Sequence, residues 1–424
     1  MFYVSEKQAA RHNEETDMSN RNLAGLLAVA AVWTASSAAA YAQETIRIGA
    51  PLALSGKFVS YGAAAKRGIE MAVDVYGGTI KGKKIDVLVR DTQSDAQAAV
   101  NSFTQLLSDE KLNYLIGPVA TPMAMAGLPA WLRTKALWVV PGATTPLLEE
   151  KVGKEPMLFH TFPYAYHYHA SLAKTLREKL GSGKKIAIIY SDDAYGREHL
   201  PYAQKYFAAA GFKIIAEELV RAGATDLNPV FAKIRRAKPD VLLGLVQTTD
   251  GITLTKQAYV QRLGVPYLIG TAYPQLKQWQ DATGDAQEGW VGVTTYIPGV
   301  KVKADPKYPK LFPDSEKWVA DFKKRYNREP EFIDVGAYVS TCMLLIAIEN
   351  AGGVDDKEKV AAELKKLDVR TMIGRGHFGP TESGTLNQAF ADVVVHQRVK
   401  NADAILFPED FATTKVLEKA TYAK

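Results

Sequence analysis

The sequence of 424 residues has a single cysteine, Cys342, so it can form no intramolecular disulfide. It also lacks a G-x-x-x-x-G-K-[ST] phosphate loop, a G-x-S-x-G turn around a serine and an H-E-x-x-H zinc motif, and the turn IGAPLALSG after the first predicted strand lacks the G-x-G-x-x-G spacing of a dinucleotide loop. These absences argue against an ATPase, a serine hydrolase, a zinc protease and a nucleotide-dependent dehydrogenase. The formal net charge is +6, but the basic residues are scattered, so we expect no nucleic-acid surface.

The N-terminal stretch, residues 1–42, is predicted to be a leader and signal peptide. After Met18 comes a short polar region, then the apolar run Leu23–Trp33, then Ala40-Tyr41-Ala42, which fits the small-residue rule for signal-peptidase cleavage. The apolar run is too short to span a bilayer, and no cysteine follows it to carry a lipid. We therefore expect cleavage before Gln43 and a periplasmic mature protein, whether translation starts at Met18 or at an earlier methionine.

The rest of the chain alternates predicted strands and helices with short loops. Residues 46–76 read as a strand, a loop with two aromatic residues and an amphipathic helix. Later strands are continuous apolar runs, which predicts parallel strands buried on both faces. Asp226 is predicted to cap a helix that has Pro229 in its first turn. The further predicted strands are 84–90, 113–117, 137–140, 185–191, 213–219, 241–246, 266–270 and 390–397, and the further predicted helices are 95–109, 196–210, 226–237, 251–263, 312–326 and 336–350.

The order of these elements predicts an α/β fold with two doubly wound lobes joined by three hinge crossovers. The mature length also suits two domains. Candidate crossings are Phe159–Tyr168, Tyr296–Gly299 and Gly379–Gly384. A protein built in this way closes on a ligand held between its lobes. The predicted division is 43–162 for the first part of lobe 1, 163–297 for the first part of lobe 2, 298–380 for the return to lobe 1, and 381–424 for the return to lobe 2 and the C-terminal tail.

Six blocks of sequence carry a resemblance to a known family. They are IRIGAPLALSGKFVSYG, GTIKGKKIDVLVRDTQSD, YLIGPVATPMA, VVPGATTPLL, IAIIYSDDAYG and MIGRGHFGPTESG. In order and spacing they resemble the bacterial leucine/isoleucine/valine-binding protein and its relatives, the type I periplasmic solute-binding proteins of ABC importers. The resemblance covers residues 44–400. It implies a periplasmic binding protein type I fold and delivery of a solute to the transmembrane subunits of an ABC permease. We expect a monomer without a cofactor.

Two Thr-Pro pairs, Thr121-Pro122 and Thr145-Pro146, follow predicted strands and begin predicted helices. Free N–H groups at a helix start, together with a hydroxyl, form a site suited to a carboxylate. The resemblance implies that Thr121, Gly142 and Thr144 hold the ligand carboxylate. The residues alone leave open that these threonines only cap helices.

The class of ligand follows from one departure from the family pattern. In the family that the sequence resembles, amino-acid binders have an acidic residue for the ligand ammonium after the strand matching Pro266–Gly270, where this chain has GTAYPQ, with Ala272 or its neighbours at that position. A buried ammonium without a carboxylate is costly, so the ligand lacks an amino group unless Asp250 substitutes. The resemblance also places Tyr61 and Tyr195 beside the ligand's side chain. The candidate ligand-binding residues are Phe58, Tyr61, Ala120, Thr121, Gly142, Ala143, Thr144, Tyr166, His167, Tyr195, Gln247, Ala272 and Tyr273.

The predicted ligand is a small apolar or aromatic carboxylate, because aromatic residues are frequent at the predicted loops and crossings. Binding of a branched-chain amino acid or an amide, and a ligand sensor with the same fold, are the alternatives. No cysteine or H-E-x-x-H pattern accompanies His160, His167 and His169, so we expect no metal site. Of the three, His167 and His169 are the better candidates for contact with an anionic ligand. An enzyme is the rival class, but no catalytic set is marked among Ser55, Ser191, Asp192 and Asp193.

Overall fold

The computed structural model describes residues 45–422. The predicted leader and its cleavage site lie outside the described residues. The described chain forms fifteen strands. They are β1 (Thr45–Leu52), β2 (Thr79–Ile80), β3 (Lys83–Asp91), β4 (Tyr114–Ile116), β5 (Leu137–Val140), β6 (Leu158–His160), β7 (Lys185–Ser191), β8 (Lys213–Val220), β9 (Val241–Leu245), β10 (Tyr267–Gly270), β11 (Trp290–Thr294), β12 (Asp368–Thr371), β13 (Gly374–His377), β14 (Val394–Val399) and β15 (Ala402–Phe407).

The α-helices fill the intervals between strands and follow the predicted alternation. The described residues contain twelve α-helices. They are α1 (Val59–Tyr76), α2 (Ala96–Thr104), α3 (Thr121–Thr134), α4 (Pro146–Val152), α5 (Ala165–Leu180), α6 (Ala194–Ala209), α7 (Asn228–Ala237), α8 (Thr248–Val260), α9 (Lys277–Thr283), α10 (Ser315–Tyr326), α11 (Phe332–Asn350) and α12 (Lys357–Lys365).

Two sheets divide the molecule into two lobes. The first lobe has six strands in the order β2-β3-β1-β4-β5-β6, and the second has seven in the order β15-β14-β11-β10-β9-β7-β8. Strand β1 pairs in parallel with β4, and β9 in parallel with both β7 and β10. Every residue of β5, β9 and β11 is buried. The doubly wound α/β fold with two lobes, predicted from the sequence, is therefore confirmed.

Helix α11 returns to the first lobe and completes its core. Among the described residues it is the one helix long and apolar enough to cross a membrane, and nearly all of it is buried inside the protein. It lies against α1, where Gly68 permits close approach because a Cβ there would clash with the backbone oxygen of Asp334. The Asp334 carboxylate pairs with Arg67 Nε at 2.8 Å. Burial raises the pKa of Asp334 to about 6.

The chain passes between the two sheets three times. The passages lie between β6 and β7, between β11 and α10, and between β13 and β14. After β13 the chain keeps its contacts with the first lobe through Gln388, whose side-chain oxygen lies 2.9 Å from His160 Nδ1, and Ala389, whose backbone N–H donates to His160 O at 2.9 Å. The lobe boundaries at residues 162, 297 and 380 stay a prediction.

Some element ends differ from the sequence expectation for local reasons. The strand expected at 390–397 begins only at Val394, because the preceding segment is held against the first lobe through Gln388. The helix expected from Asp226 begins at Asn228, and Leu227 occupies the N-cap position. Asp226 still accepts a hydrogen bond from the Asn228 N–H at 2.9 Å. Its carboxylate therefore acts as a cap from one residue further out.

Candidate functional site

A cavity opens between the two lobes at the carboxyl ends of their central strands. Its empty volume is about 380 Å³, including the part open to solvent. The lining residues come from both lobes. They are Tyr61, Val119, Ala120, Thr121, Gly142, Ala143, Thr144, Phe162, Tyr168, Tyr195, Gln247, Thr271, Ala272, Gln275 and Phe332.

The first-lobe wall begins at the N-terminus of α3. The N-cap residue of α3 is Ala120, and no side chain caps this helix end. The hydroxyl of Thr121, the first helical residue, is therefore not a capping group. Within residues 45–422, no hydrogen bond is made by the backbone N–H of Thr121 or of Thr144. Free N–H groups at the positive end of a helix favour an anion. This wall therefore offers hydrogen-bond donors without a formal charge.

The two loops of this wall are locked together by close backbone approach. A Cβ on Gly142 would clash with the backbone oxygen of Val119, so only glycine fits there. The next residue, Ala143, has a φ of 56°, and its N–H donates to Val119 O at 2.7 Å. His160 Nε2 lies 2.9 Å from Gly142 O behind the loop. A left-handed non-glycine residue held in this way is a strained feature of the kind found at ligand sites.

The two Thr-Pro pairs turn out to have different roles. Thr145 is the N-cap of α4, and its Oγ1 accepts from the Leu147 N–H at 3.2 Å. It is fully buried and does not line the cavity. Thr121 caps nothing and does line the cavity. The capping alternative therefore holds for Thr145, whereas Thr121 and Thr144 face the space between the lobes.

The second-lobe wall is aromatic and amide in character. The Tyr195 hydroxyl donates to Thr271 Oγ1 at 2.7 Å, and Gln247 and Ala272 complete the side facing α3. Tyr61 reaches across from the first lobe, with its hydroxyl 2.7 Å from Thr248 Oγ1 and 3.1 Å from Gln247 Oε1. The lobes are therefore held closed by hydrogen bonds between them.

No residue that lines the cavity carries a formal charge. Burial raises the pKa of Tyr61 to about 12, so its phenol stays neutral. Asp250 was considered as the acid that could pair with a ligand ammonium in place of the missing one. It lies outside the cavity: its carboxylate accepts from the Gly223 N–H at 2.8 Å and lines a separate cleft of the second lobe. That expectation is corrected, because the Asp250 side chain points away from the cavity to cap the 221–224 loop.

Tyr273, expected at the site, is instead in the core of the second lobe. A Cβ at Gly251 or Gly270 would clash with its ring and a Cβ at Gly244 with its hydroxyl, so these three glycines form the recess that the side chain fills. Its ring packs 5.7 Å, between centroids, from Trp279. The sequence showed a tyrosine after a strand but not the recess, which comes from three separate elements.

Phe58, Tyr166 and His167 also lie away from the cavity, which corrects their assignment as ligand contacts. Phe58 is buried behind Tyr61, with the ring centroids 5.9 Å apart. Tyr166 donates its hydroxyl to Glu149 Oε1 at 3.1 Å, and His167 Nδ1 accepts from a backbone N–H at 3.0 Å. Both belong to the start of α5 and line a surface crevice beside the third crossing. These two side chains therefore make contacts within the protein at the first crossing between the lobes.

Sequence reasoning missed His199, which lies behind the cavity wall, and several residues of the lining. His199 Nε2 lies 2.7 Å from Thr144 Oγ1, across the gap between the lobes. Its ring stacks on Tyr195 with centroids 4.1 Å apart. The available signal was its position four residues after Tyr195 on α6, which places both side chains on one helix face. Lining residues that were also not among the candidates are Val119, Phe162, Tyr168, Thr271, Gln275 and Phe332.

Within the described residues, no group of three or more His, Cys, Asp or Glu side chains is arranged to hold a metal ion. His160 and His169 are fully buried and make hydrogen bonds to protein atoms. Burial lowers the pKa of His169 to about 3 and that of His167 to about 4. These histidines are neutral structural groups.

Comparison with known proteins gives consistent results. A family model described as "Periplasmic binding protein" matches residues 45–400. The Leu/Ile/Val-binding protein BraC3 of Rhizobium johnstonii is 25% identical over 363 residues, covering 83% of this chain and 91% of that protein. Leucine binding protein LivK from Thermotoga maritima has a TM-score of 0.75 at 22% identity, covering 86% of this chain and 100% of that one. A solute binding protein of R. palustris in complex with benzoate has a TM-score of 0.74 at 20% identity, covering 88% and 100%.

Proposed function

The chain belongs to the periplasmic binding protein family, the solute-binding proteins of ABC transporters, and from this membership we propose that it captures a small aromatic or other apolar carboxylate between its lobes and delivers it to a membrane permease. It is a binding protein and not an enzyme, as its relatives are. Ser191 and Asp193, two of the residues considered above for an enzyme, form a local hydrogen bond at the start of α6.

The observation that carries the proposal is the division of the cavity between uncharged donors and apolar rings. At one end, Thr121 and Thr144 present hydroxyls and unpaired backbone N–H groups. Around the rest lie Tyr61, Phe162 and Tyr195. An anion gains charge-assisted hydrogen bonds from such donors, and flat rings bury an aromatic body. A buried ammonium would find no lining carboxylate, and its lost hydration would go uncompensated.

The two structural neighbours do not choose between ligand classes by themselves. One is a leucine binding protein and the other holds benzoate, and both share the fold of this chain. The choice of ligand class rests on the side chains, above all on Ala272. The family resemblance implies an acidic residue near this position in amino-acid binders. This absence supports a ligand with a carboxylate and no amine.

One observation favours the alternative of a branched-chain amino acid. Asp193, the N-cap residue of α6, uses Oδ1 to accept from Ser191 Oγ and from two backbone N–H groups, whereas its buried Oδ2 has no partner within the described chain. Asp193 does not line the cavity. A ligand ammonium would have to reach it past Tyr195, the next residue but one.

Calorimetric titration of the purified protein with benzoate, 4-hydroxybenzoate and leucine tests the choice. We expect both aromatic acids to bind and leucine to give no heat of binding. Tight leucine binding with no response to either acid would overturn the proposal. In that case Asp193→Asn, which removes the alternative ammonium partner, should abolish the leucine signal.

We also propose export with cleavage before Gln43. N-terminal sequencing of protein recovered from the periplasmic fraction should begin at Gln43. A chain that keeps residues 1–42 after export would contradict this part. Deletion of the gene should impair uptake of the bound acid, whereas a sensor would instead lose its response while uptake continued.

A further inference from the structure

Thr144 is the cavity residue whose hydroxyl is tied to a chain of buried histidines. Its Oγ1 lies 2.7 Å from His199 Nε2, and His199 Nδ1 lies 3.1 Å from His169 Nε2. Both rings are fully buried. Within residues 45–422, His169 Nδ1 has no hydrogen-bond partner. The Tyr195 ring stacked on His199 fixes that imidazole from the cavity side.

Burial sets the charge of both rings. It lowers the pKa of His169 to about 3 and holds that of His199 well below its usual range. Each imidazole is therefore neutral near pH 7 and carries one N–H. Because each of the two contacts needs one donor and one acceptor, only two proton arrangements satisfy the chain.

In the first arrangement both rings carry their proton on Nδ1. His199 Nδ1–H then donates to His169 Nε2, and the Thr144 hydroxyl must donate to His199 Nε2. The proton on His169 Nδ1 is left buried without an acceptor. In addition, Thr144 has no proton left for a ligand.

In the second arrangement both rings carry their proton on Nε2. His169 donates to His199 Nδ1, and His199 donates to Thr144 Oγ1. The only unsatisfied atom is then the lone pair of His169 Nδ1, and the Thr144 proton is free to point into the cavity. Orphaned buried N–H groups are rarer in proteins than under-satisfied acceptors, which favours this arrangement.

We propose that His169 and His199 form a proton-ordered relay that turns Thr144 into a donor facing the cavity and thereby selects a carboxylate over a neutral amide or an ammonium. His199 and His169 are positioning residues: neither lines the cavity, and both act through Thr144. The consequence for the ligand rests on the proposed function. The proton order itself is a property of the unliganded protein.

The proton order is measured directly by long-range ¹H–¹⁵N correlation spectra of the ¹⁵N-labelled, ligand-free protein. The spectra of His169→Phe and His199→Phe assign the two rings. We expect the Nε2–H tautomer for both. The Nδ1–H tautomer at either ring, or a charged ring at pH 7, overturns the relay.

The effect on specificity is measured by titrating benzoate and its neutral analogue benzamide. His199→Phe keeps a stacked ring but removes both nitrogens, so benzoate affinity should fall about tenfold, the worth of one hydrogen bond to a charged group. Benzamide affinity should change much less. Thr144→Val should lose as much benzoate affinity as His199→Phe, and the double variant no more than either alone, because the two residues act through one contact.

Two further variants guard against a general packing effect. His169→Gln retains an N–H donor near the position of Nε2 and should keep benzoate affinity close to wild type, whereas His169→Phe should lose it. His377→Phe, a histidine on β13 outside the cavity, should leave binding unchanged. Equal losses for benzoate and benzamide, or additive losses in the double variant, contradict the relay. If the wild-type protein binds no aromatic acid, the proposed function fails while the tautomer measurement still decides the relay.

Discussion

The two walls of the cavity are built on different principles. The anchor in the first-lobe wall is largely backbone: the start of α3 and the loop at Gly142 and Ala143, which approach so closely that a Cβ on Gly142 would not fit. The second-lobe wall is made of side chains, those of Tyr195, Thr271 and Gln247. The Tyr195 hydroxyl donates to Thr271, and Gln247 accepts from Tyr61 of the first lobe. Backbone donors recognise a carboxylate that many ligands share, whereas side chains can vary to suit the body of the ligand. The fold thus separates a fixed anchor from an adaptable face.

The largest effect is expected at the anchor itself. In Gly142→Ala, the new Cβ would clash with the Val119 backbone oxygen and push the two loops apart. Benzoate affinity should fall by about 100-fold or more, since the carboxylate donors lose their alignment and one charge-assisted bond alone is worth about tenfold.

The matched control for this change is Gly336→Ala. A Cβ at Gly336, which is also in a buried position, would meet no atom within 4 Å. Calorimetry should find its affinity unchanged. Equal binding by Gly142→Ala and the wild type would show that the anchor does not depend on the close approach of its two loops.

The adaptable face should accept a change of ligand class. Ala272→Glu restores an acid where amino-acid binders have one, so the second wall would repel a bare carboxylate and attract an ammonium. We expect benzoate affinity to fall by roughly 10- to 100-fold and leucine binding to appear. Ala272→Gln, similar in size but uncharged, separates charge from bulk. Loss of benzoate affinity in both variants to the same degree would point to bulk alone.

A pH effect on stability is expected from the histidines that back the second wall. The pKa of His169 is lowered from 6.5 to about 3 in the folded state, so the unfolded chain takes up the proton first as the pH falls. Its contribution to stability is therefore full above pH 6.5 and is lost as the pH drops toward 3. The free energy of unfolding should fall by about 1.4 kcal/mol per pH unit for this group across that range.

Urea unfolding at several pH values between 7 and 4 measures this dependence. The free energy of unfolding should change less steeply with pH in His169→Gln, because the contribution of one titrating group is removed. An unchanged slope in the variant would mean that His169 is already protonable in the folded protein.

The smallest effect is expected from the bond that joins the two walls. Tyr61→Phe removes the hydroxyl that contacts Thr248 and Gln247, and benzoate affinity should fall by roughly three- to tenfold because closure loses a net hydrogen bond. Tyr195→Phe removes a hydroxyl bonded within the second lobe. Small-angle scattering of the ligand-free protein should therefore show a more open average form for Tyr61→Phe only. The same scattering curve for both variants would remove Tyr61 as a clasp.

Local sequence signals predicted most of the fold. The alternation of apolar runs with amphipathic helices gave the strands and helices of both lobes, and the proline and glycine clusters marked the three passages between them. Thr121 was expected at the site because it follows a predicted strand, whereas Gly142 and Thr144 were expected there from the family resemblance, and all three line the cavity. Such positions depend on chain order, which a sequence displays.

The remaining features depend on contacts between distant segments. His199 joins the site only because α6 of the second lobe meets the 142–144 loop of the first when the lobes close. Tyr273 follows a strand just as Thr121 does, but its ring turns into a recess made by three glycines. Tyr166 and His167 lie at a crossing and are taken up by the hinge. The spacing of residues along the sequence predicts neither the direction in which a side chain points nor its partner in the other lobe.

A crystal structure of the protein with benzoate tests the central claim most directly. The benzoate carboxylate should lie within hydrogen-bonding distance of the backbone N–H and hydroxyl groups of Thr121 and Thr144, with its ring between Tyr61 and Tyr195. A carboxylate turned toward the second lobe, or a co-purified ligand whose ammonium group contacts Asp193, would contradict it.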